Sequence, residues 1–137
     1  RGGDELNILK PGANYGWPLV TYGIHYNGEP ISAHQQMDGV EDVVLHWTPS
    51  IAVCDIRFYE GNAFPAWRGD LLVTALGREH LRRLKFEGTQ VTEQELLISD
   101  IGRIRTLSVD QDGALYLVTN SRGNKPTSKV YRLDPIG

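Results

Sequence analysis

A strand-rich unit occurs twice in the second half of this sequence. The matching runs are, in chain order, Ile56–Phe58 with Leu107–Val109, Gly69–Thr74 with Gly113–Thr119, and Leu81–Leu84 with Val130–Leu133. The offset is 45 residues at the Val-Thr pairs of the second match and 49 residues at the third match. A period near 45 residues with several strands in each unit is typical of β-propeller blades. The alternative is an ordinary antiparallel sandwich with a chance internal echo.

Short apolar runs rich in β-branched and aromatic residues predict seven strands. The predicted strands are Val43–Trp47, Ile51–Tyr59, Asp70–Ala75, Leu81–Phe86, Arg103–Val109, Ala114–Thr119 and Lys129–Leu133. Glycine and proline are spread between them, which indicates many turns and no disordered linker. The best helical candidate, Thr92–Ile98, is too short to support a helix. The sequence therefore predicts an all-β protein.

Charge, hydropathy and cysteine content exclude several classes of function. The formal charge is −3, whereas a nucleic-acid-binding surface is usually basic. No stretch approaches the roughly 18 consecutive apolar residues of a membrane span. Cys54 is the only cysteine, so an intrachain disulfide and a Cys-based zinc site are excluded. Its apolar neighbours predict a buried, inert thiol in preference to a nucleophile.

Two repeat units and a leading segment are too few to close a propeller, which needs at least about four blades. An open array would expose sheet edges to aggregation. Because the chain also opens with Arg1 in place of Met, we expect it to be the C-terminal portion of one larger propeller domain. It would cover two to three blades, with residues 1–50 as the leading segment and blade strands, 51–100 as one blade and 101–137 as another.

The leading segment carries two distinctive motifs, Gly2–Asn7 (GGDELN) and Gly12–Pro18 (GANYGWP). Asp4 and Glu5 offer carboxylate oxygens and the second motif offers turn carbonyls, a mixture that suits calcium. In an extended segment Asp4 and Glu5 point to opposite faces, so only one of them can face a given ion. The alternative is that the Asp and Asn side chains of both motifs hydrogen-bond to turn backbone, while the Trp-Pro pair packs.

These motifs, followed by Thr21–Tyr26, resemble the glucose/sorbosone dehydrogenase family, and more narrowly its soluble aldose sugar dehydrogenases. The resemblance runs through nearly the whole chain and continues in Phe64–Leu71, Ala75–Leu76, Arg103–Arg105 and Asp112–Tyr116. It implies a six-bladed propeller that holds pyrroloquinoline quinone (PQQ) over its central channel. It also implies a calcium site and the oxidation of aldose sugars at the anomeric carbon.

The resemblance implies which residues bind the metal. In the family, the acidic residue of GDELN and the tyrosine of NYGWP help to bind calcium, and those positions are Glu5 and Tyr15 here. Tyr15 would act through its carbonyl. The tyrosine eleven residues beyond, Tyr26, is the one that the resemblance places against the cofactor and the sugar.

The resemblance also assigns cofactor contacts to the loop after the strand that begins at Leu71. The family has a basic residue directly after Ala-Leu, whereas here Gly77 follows Leu76 and the basic residue, Arg78, comes one position later. Leu76, Gly77 and Arg78 are therefore the expected cofactor-binding residues of this loop. The backbone contacts tolerate the departure, and the side-chain contact of Arg78 is the part that it affects.

Arg103 and Arg105 lie two positions apart, so in a regular strand both side chains point the same way. Paired guanidinium groups can bind planar carboxylates through two hydrogen bonds each, and PQQ carries three carboxylates. Taken alone, such a pair is more often a solvated strand face. Within the resemblance, we expect Arg103 and Arg105 to bind the cofactor.

No catalytic base is assigned in this chain. Its four histidines form no H-x-x-x-H pair, and the family's catalytic histidine lies on an earlier blade, upstream of Arg1. We expect the full protein to be a sugar dehydrogenase, with an unspecified electron acceptor, in the periplasm or outside the cell. The chain alone would be inactive. The alternatives are a non-catalytic calcium-binding propeller of the same lineage, acting as a binding module, and an unrelated structural or protein-binding propeller.

Overall fold

The structure is a computed structural model that describes residues 1–121 and 128–136. The chain divides into two compact units, Arg1–Ile51 and Ala52–Gly137. The second unit contains the repeats. In the part of the chain that the structure describes, no helix has the length and apolar character of a membrane span.

The second unit consists of two antiparallel sheets, in which each strand pairs with the next along the chain. The first sheet contains β3 (Val53–Phe58), β4 (Leu71–Ala75), β5 (His80–Glu87) and β6 (Gln90–Ile98). The second contains β7 (Ile104–Val109), β8 (Leu115–Thr119) and β9 (Val130–Leu133). The matching runs of the sequence fall on equivalent strands: β3 with β7, β4 with β8, and β5 with β9. The repeat is therefore structural, and the meander is what a propeller blade requires.

Six of the seven predicted strands lie on β3, β4, β5, β7, β8 and β9, with ends shifted by one or two residues, and the seventh is β2 (Leu45–Trp47) in the first unit. The segment considered for a helix, Thr92–Ile98, is instead part of β6. A two-residue turn at Gly88 and Thr89 explains the difference, because it pairs Glu87 with Gln90 and returns the chain along β5. Glycine at the first turn position with φ of +61° suits such a hairpin.

The thiol of Cys54 is half-buried, so the expectation of a buried cysteine is wrong. The register of β3 against β4 shifts between Val53 and Asp55, which places Cys54 in a bulge. A bulge interrupts the alternation of side chains between the two faces of a strand. The apolar run around Cys54 therefore does not place every side chain in the core.

The core of the second unit contains side chains from both sheets. Its members are Tyr59, Leu72, Leu81, Ile104, Leu107, Leu115 and Leu117, all at most 2% exposed. All five residues of β4 are buried, whereas β6, at the edge of its sheet, alternates between half-buried and exposed residues. Burial of apolar area on this scale is the main force that holds two such sheets together.

The hydroxyl of Tyr59 connects two turns inside this core. It donates to the carbonyl of Gly113 at 2.7 Å and accepts from the N–H of Phe64 at 3.0 Å. Tyr59 and Gly113 are buried, so the Gly113 carbonyl has no ready access to water, whereas Phe64 is half-buried. The ring of Phe64 stacks on Trp67 with centroids 4.2 Å apart, which extends the packing into the β3–β4 connection.

A carboxylate joins the first strands of the two sheets. Asp55 on β3 accepts the hydroxyl of Thr106 at 2.5 Å and the N–H of Leu107 at 3.0 Å. Both donors lie on β7, whose register against β8 shifts between Ile104 and Thr106. The shift leaves Arg105 as the extra residue of a bulge, and it allows both Ile104 and Leu107 to face the core. Asp55 therefore stabilises β7 next to an irregular segment.

A buried guanidinium connects the outer strands to the β3–β4 connection. Arg83, on β5, is 7% exposed. It lies 2.6 Å from a carboxylate oxygen of Glu95 on β6 and 3.3 Å from one of Asp70. It also donates to the carbonyl of Ala66 at 3.1 Å, within the 3-10 turn Pro65–Trp67. Because the charge is compensated on two sides, the group can remain buried.

The first unit contains a short sheet of β1 (Asp4–Leu6) and β2 (Leu45–Trp47), and its two motifs include glycines in crowded places. A Cβ on Gly3 would lie 2.4 Å from the backbone N of Gly23, and φ there is +69°. A Cβ on Gly16 would lie 2.8 Å from the side chain of Val20, with φ of +92°. Any larger residue would clash and would adopt a strained backbone. Part of each motif is therefore explained by packing.

We expect Tyr59→Phe to lower the free energy of unfolding of the full-length protein by about 2 kcal/mol, because it leaves the buried carbonyl of Gly113 and the half-buried N–H of Phe64 without their partner. Chemical denaturation measures the change. The matched control is Tyr116→Phe, which removes an exposed hydrogen bond from Arg132 and should cost less than about 0.5 kcal/mol. Equal effects of the two changes would contradict the role given to the Tyr59 hydroxyl.

Candidate functional site

The first unit contains a cavity of about 410 Å³ that brings together the residues expected at the metal and one expected at the cofactor. Glu5, Tyr15 and Tyr26 all line it, together with Asp4 and Trp17. The two motifs, which are separate in sequence, therefore meet in one place. Tyr26 is 90% exposed, so its ring is available for contact.

The two neighbouring carboxylates of this cavity have different partners. Asp4 accepts the hydroxyl of Ser50 at 2.8 Å and the N–H of Ile51 at 3.0 Å. Glu5 accepts the side-chain amide of Asn7 at 3.3 Å. The alternative interpretation, a hydrogen bond to turn backbone, fits Asn14, whose side chain accepts the N–H of Gly16 at 2.9 Å. Asp4 instead bonds to residues more than 40 positions away.

The donor set around Glu5 suits a hard cation. Besides its carboxylate, the side-chain oxygen of Asn7 is buried and has no hydrogen-bond partner within the part of the chain that is described. Oxygen ligands of this kind are those that calcium takes. No three His, Cys, Asp or Glu side chains among the described residues form a group that could hold a metal. A calcium ion here would need carbonyl or other oxygens as well, and the site stays a prediction.

The hydroxyl of Tyr15 has a structural role. It donates to the carbonyl of Ile8 at 2.9 Å and accepts the N–H of Lys10 at 2.6 Å. Lys10 in turn forms an ion pair with Glu41, and the carboxylate raises the pKa of its ammonium through a hydrogen bond and charge. With its hydroxyl engaged, Tyr15 could offer a metal only its carbonyl, which is the role that the sequence resemblance implies.

The second unit contains another cavity, of about 390 Å³, lined by the connections that follow β4, β6 and β8. Arg103 and Lys129 contribute two positive charges, and Glu79 and Asp100 contribute two negative ones. Arg103 is half-buried, and its buried Nε has no hydrogen-bond acceptor in the described part of the chain. A buried donor without a partner is costly, so this nitrogen would gain from an acceptor supplied by an anion.

The two arginines of the expected pair do not have equivalent surroundings. Arg103 precedes β7 and lines the cavity, whereas Arg105 is the exposed, bulged residue within β7 and is not among the residues of the cavity wall. The regular alternation that would point both side chains the same way is interrupted by the bulge. The structure thus brings Arg103 alone to this cavity, and cofactor binding by either residue stays a prediction.

The turn between β4 and β5 contains the three loop residues expected at the cofactor. The N–H of Leu76 donates to the carbonyl of Ala52 at 3.0 Å, Gly77 is half-buried and the side chain of Arg78 is exposed. Arg78 and Glu79 both have positive φ, at 62° and 51°. Residues other than Gly, Asn and Asp rarely adopt a positive φ, so contacts with neighbouring residues must stabilise this turn.

His80 follows this turn, and the sequence assigned it no role. It is 2% exposed, and burial lowers the pKa of its imidazole, as do the charges of Arg82 and Arg78, while the Arg78 carbonyl acts in the opposite direction. The other three histidines line neither cavity. His46 packs on β2 with its ring 3.8 Å from that of Tyr22, and His25 and His34 are exposed.

Comparison with known proteins gives consistent results. The sequence model of the family described as Glucose / Sorbosone dehydrogenase matches residues 1–131. The aldose sugar dehydrogenase YliI of Escherichia coli (strain K12) is 40% identical over 123 residues, which are 88% of this chain and 33% of that protein.

Two solved structures extend the comparison. A glucose dehydrogenase is 42% identical with a TM-score of 0.89, and the match covers 99% of this chain and 39% of the other. The PQQ-bound form of an aldose sugar dehydrogenase from Streptomyces coelicolor is 28% identical with a TM-score of 0.67, over 96% of this chain and 36% of the other. The chain thus spans less than two fifths of the length of each relative. The expected all-β, propeller-type fold is confirmed.

Asp4→Ala should lower the free energy of unfolding of the full-length protein by about 1–2 kcal/mol, because the Ser50 hydroxyl and the Ile51 N–H lose their acceptor. Glu5→Gln keeps an oxygen for Asn7 and should change stability by less than about 0.5 kcal/mol in calcium-free buffer. Thermal and chemical denaturation measure both. A larger loss for the Glu5 variant than for the Asp4 variant would contradict this division of roles.

Proposed function

This chain belongs to the glucose/sorbosone dehydrogenase family, and from that premise we propose that the full protein oxidises aldose sugars at the anomeric carbon with PQQ as hydride acceptor. The relatives named as aldose sugar and glucose dehydrogenases support the class of substrate. The PQQ-bound relative supports the cofactor. Bound PQQ would supply the redox chemistry, and the protein would supply binding, orientation and charge compensation.

The observation that carries the proposal is the buried Nε of Arg103 in the cavity of the second unit. A carboxylate placed there would accept from this nitrogen and would offset the guanidinium charge, a combination stronger than a neutral hydrogen bond. Lys129 adds a second cation to the same wall, while the nearby Glu79 and Asp100 disfavour anions that lack a precise fit. A ligand carboxylate would therefore bind beside Arg103 and Lys129 and away from the two wall carboxylates.

The β4–β5 turn contributes to the same proposal. Its residue Glu79 lines the cavity that contains Arg103, so Leu76, Gly77 and Arg78 lie directly beside that wall in sequence. We assign the turn to cofactor orientation, through the backbone at Leu76 and Gly77 and the exposed cation of Arg78. Arg105 and Tyr26 are further cofactor contacts in the proposal, on the strength of the family resemblance.

Calcium is the second proposed group, with Glu5 as its carboxylate ligand and Tyr15 as a carbonyl ligand. The buried, unpartnered oxygen of Asn7 beside Glu5 supports an ion at this place. Several hard oxygen ligands in an irregular coordination geometry are the arrangement that calcium accepts. A periplasmic or extracellular location is also proposed, on the resemblance alone.

The test is to titrate the apo form of the full-length protein with PQQ in calorimetry and to follow dye reduction with glucose and other aldoses. Arg103→Met should weaken PQQ binding by roughly 10- to 100-fold, because it removes charge-assisted hydrogen bonds from a half-buried position. Arg105→Met, at an exposed bulge, should weaken it less. The double variant should show no measurable binding.

Arg132→Gln is the matched control, since Arg132 is an exposed arginine whose partners are Asp134 and Tyr116. It should bind PQQ as the wild type does. No turnover of any aldose by the PQQ- and calcium-loaded wild type would refute the enzyme. Normal PQQ binding by the double variant would refute the assigned site.

A further inference from the structure

A series of side-chain contacts leads from β6 through β5 to the β4–β5 turn. Gln94 on β6 accepts from Nη1 of Arg82 at 3.1 Å, and Nε of Arg82 donates to Nε2 of His80 at 3.4 Å. The other ring nitrogen, Nδ1, lies 3.4 Å from the carbonyl oxygen of Arg78. The imidazole is thus the link between a regular strand and the turn.

The partners determine the protonation state of this imidazole. An arginine can only donate, so Nε2 must be the accepting nitrogen and the ring must be neutral. The proton of the neutral ring then lies on Nδ1, which donates to the Arg78 carbonyl. The carbonyl belongs to the first of the two residues with positive φ, so this hydrogen bond acts on the strained part of the turn.

We propose that His80 is a positioning residue that, in its neutral form, holds the β4–β5 turn in the conformation that presents Leu76, Gly77 and Arg78 to the cofactor. Its role toward the cofactor rests on the proposed function, whereas its role in the turn does not. Arg78 and Glu79 are consecutive residues with left-handed backbone conformation. They need such a stabilising contact, because this conformation costs free energy for any residue that has a side chain.

The stabilisation of the turn by His80 depends on pH. The charged groups that act on the His80 ring are Arg82 on its own strand and Arg78 on the turn, and Glu79 directly precedes it in the chain. On β4 the residue opposite His80 is the uncharged Ala75, which pairs with Val53 of β3, the neighbour of Cys54. A protonated ring would lose the Arg82 hydrogen bond and would face two guanidinium groups.

The direction of the pH effect follows from the lowered pKa of His80. Above the ordinary value of about 6.5, the ring is neutral whether the turn is closed or open. Below that value, a ring released from the turn takes up a proton that the closed turn resists, so opening becomes favourable as the pH falls. The closed turn is therefore most stable at neutral and alkaline pH.

Hydrogen–deuterium exchange of peptides that cover residues 76–82 in the full-length apo protein tests, without any cofactor, whether His80 stabilises the turn. After correction for intrinsic rates, the wild type should lose protection by about fivefold between about pH 7.5 and about pH 5.5. His80→Asn, which keeps a donor near Nδ1 but does not titrate, should retain protection at both values. His80→Leu should be about fivefold less protected at both. His34→Ala, at an exposed histidine, is the control.

Wild-type exchange that is independent of pH, or a His80→Leu protein protected like the wild type, would overturn the proposal. If His80→Leu does not fold, the comparison of wild type with His80→Asn decides. PQQ affinity tests the second part: it should fall about fivefold in His80→Leu. A variant with an open turn and wild-type PQQ affinity would overturn the role toward the cofactor. If the wild type binds no PQQ, the proposed function is refuted. The exchange experiment then still tests the role of His80 in the turn.

Discussion

The carboxylate of Asp55 joins the first strands of two sheets, and the irregular part of β7 depends on it. The N–H of Leu107 points to Asp55 and away from β8, so it belongs to the free edge of the second sheet. An edge N–H beside a bulge has no regular partner, and the carboxylate supplies one together with a short bond to Thr106. The place of Arg103, just before this segment, thus depends on a residue of the other sheet.

The architecture could be predicted from the sequence because it follows from local periodicity and spacing. The repeat fell on equivalent strands, and the strands rich in β-branched and aromatic residues were found with small shifts at their ends. β6 was missed because most of it is polar, with Glu93 and Glu95 facing Lys85 and Arg83, and its apolar run is confined to its last three residues. The Gly88–Thr89 turn was the available signal, because a two-residue turn with leading glycine requires a strand on each side.

The candidate sites were less predictable, since their side chains act across long sequence distances. That Asp4 would bind Ser50 and Ile51, leaving Glu5 for another role, depends on partners more than 40 positions away. The different surroundings of the two carboxylates do follow from the alternation of side chains along an extended segment. The burial of His80 was not predicted, because the predicted strand began at Leu81. In the structure β5 begins at His80 itself, and Arg82, two positions on, therefore reaches its ring.

The irregular positions share a cause. Periodicity predicts where a side chain points only while the backbone is regular, and two of the residues proposed for cofactor binding lie where it is not: Arg105 at the bulge of β7 and Arg78 in the turn after β4. Breaks of this kind direct a side chain or a backbone amide away from the sheet, which a regular strand cannot do. Each irregular position then needs contacts that fix its conformation. Asp55 supplies them at the bulge of β7, and His80 supplies them at the turn after β4. A blade can therefore keep its core pattern while its turns and bulges determine what it binds.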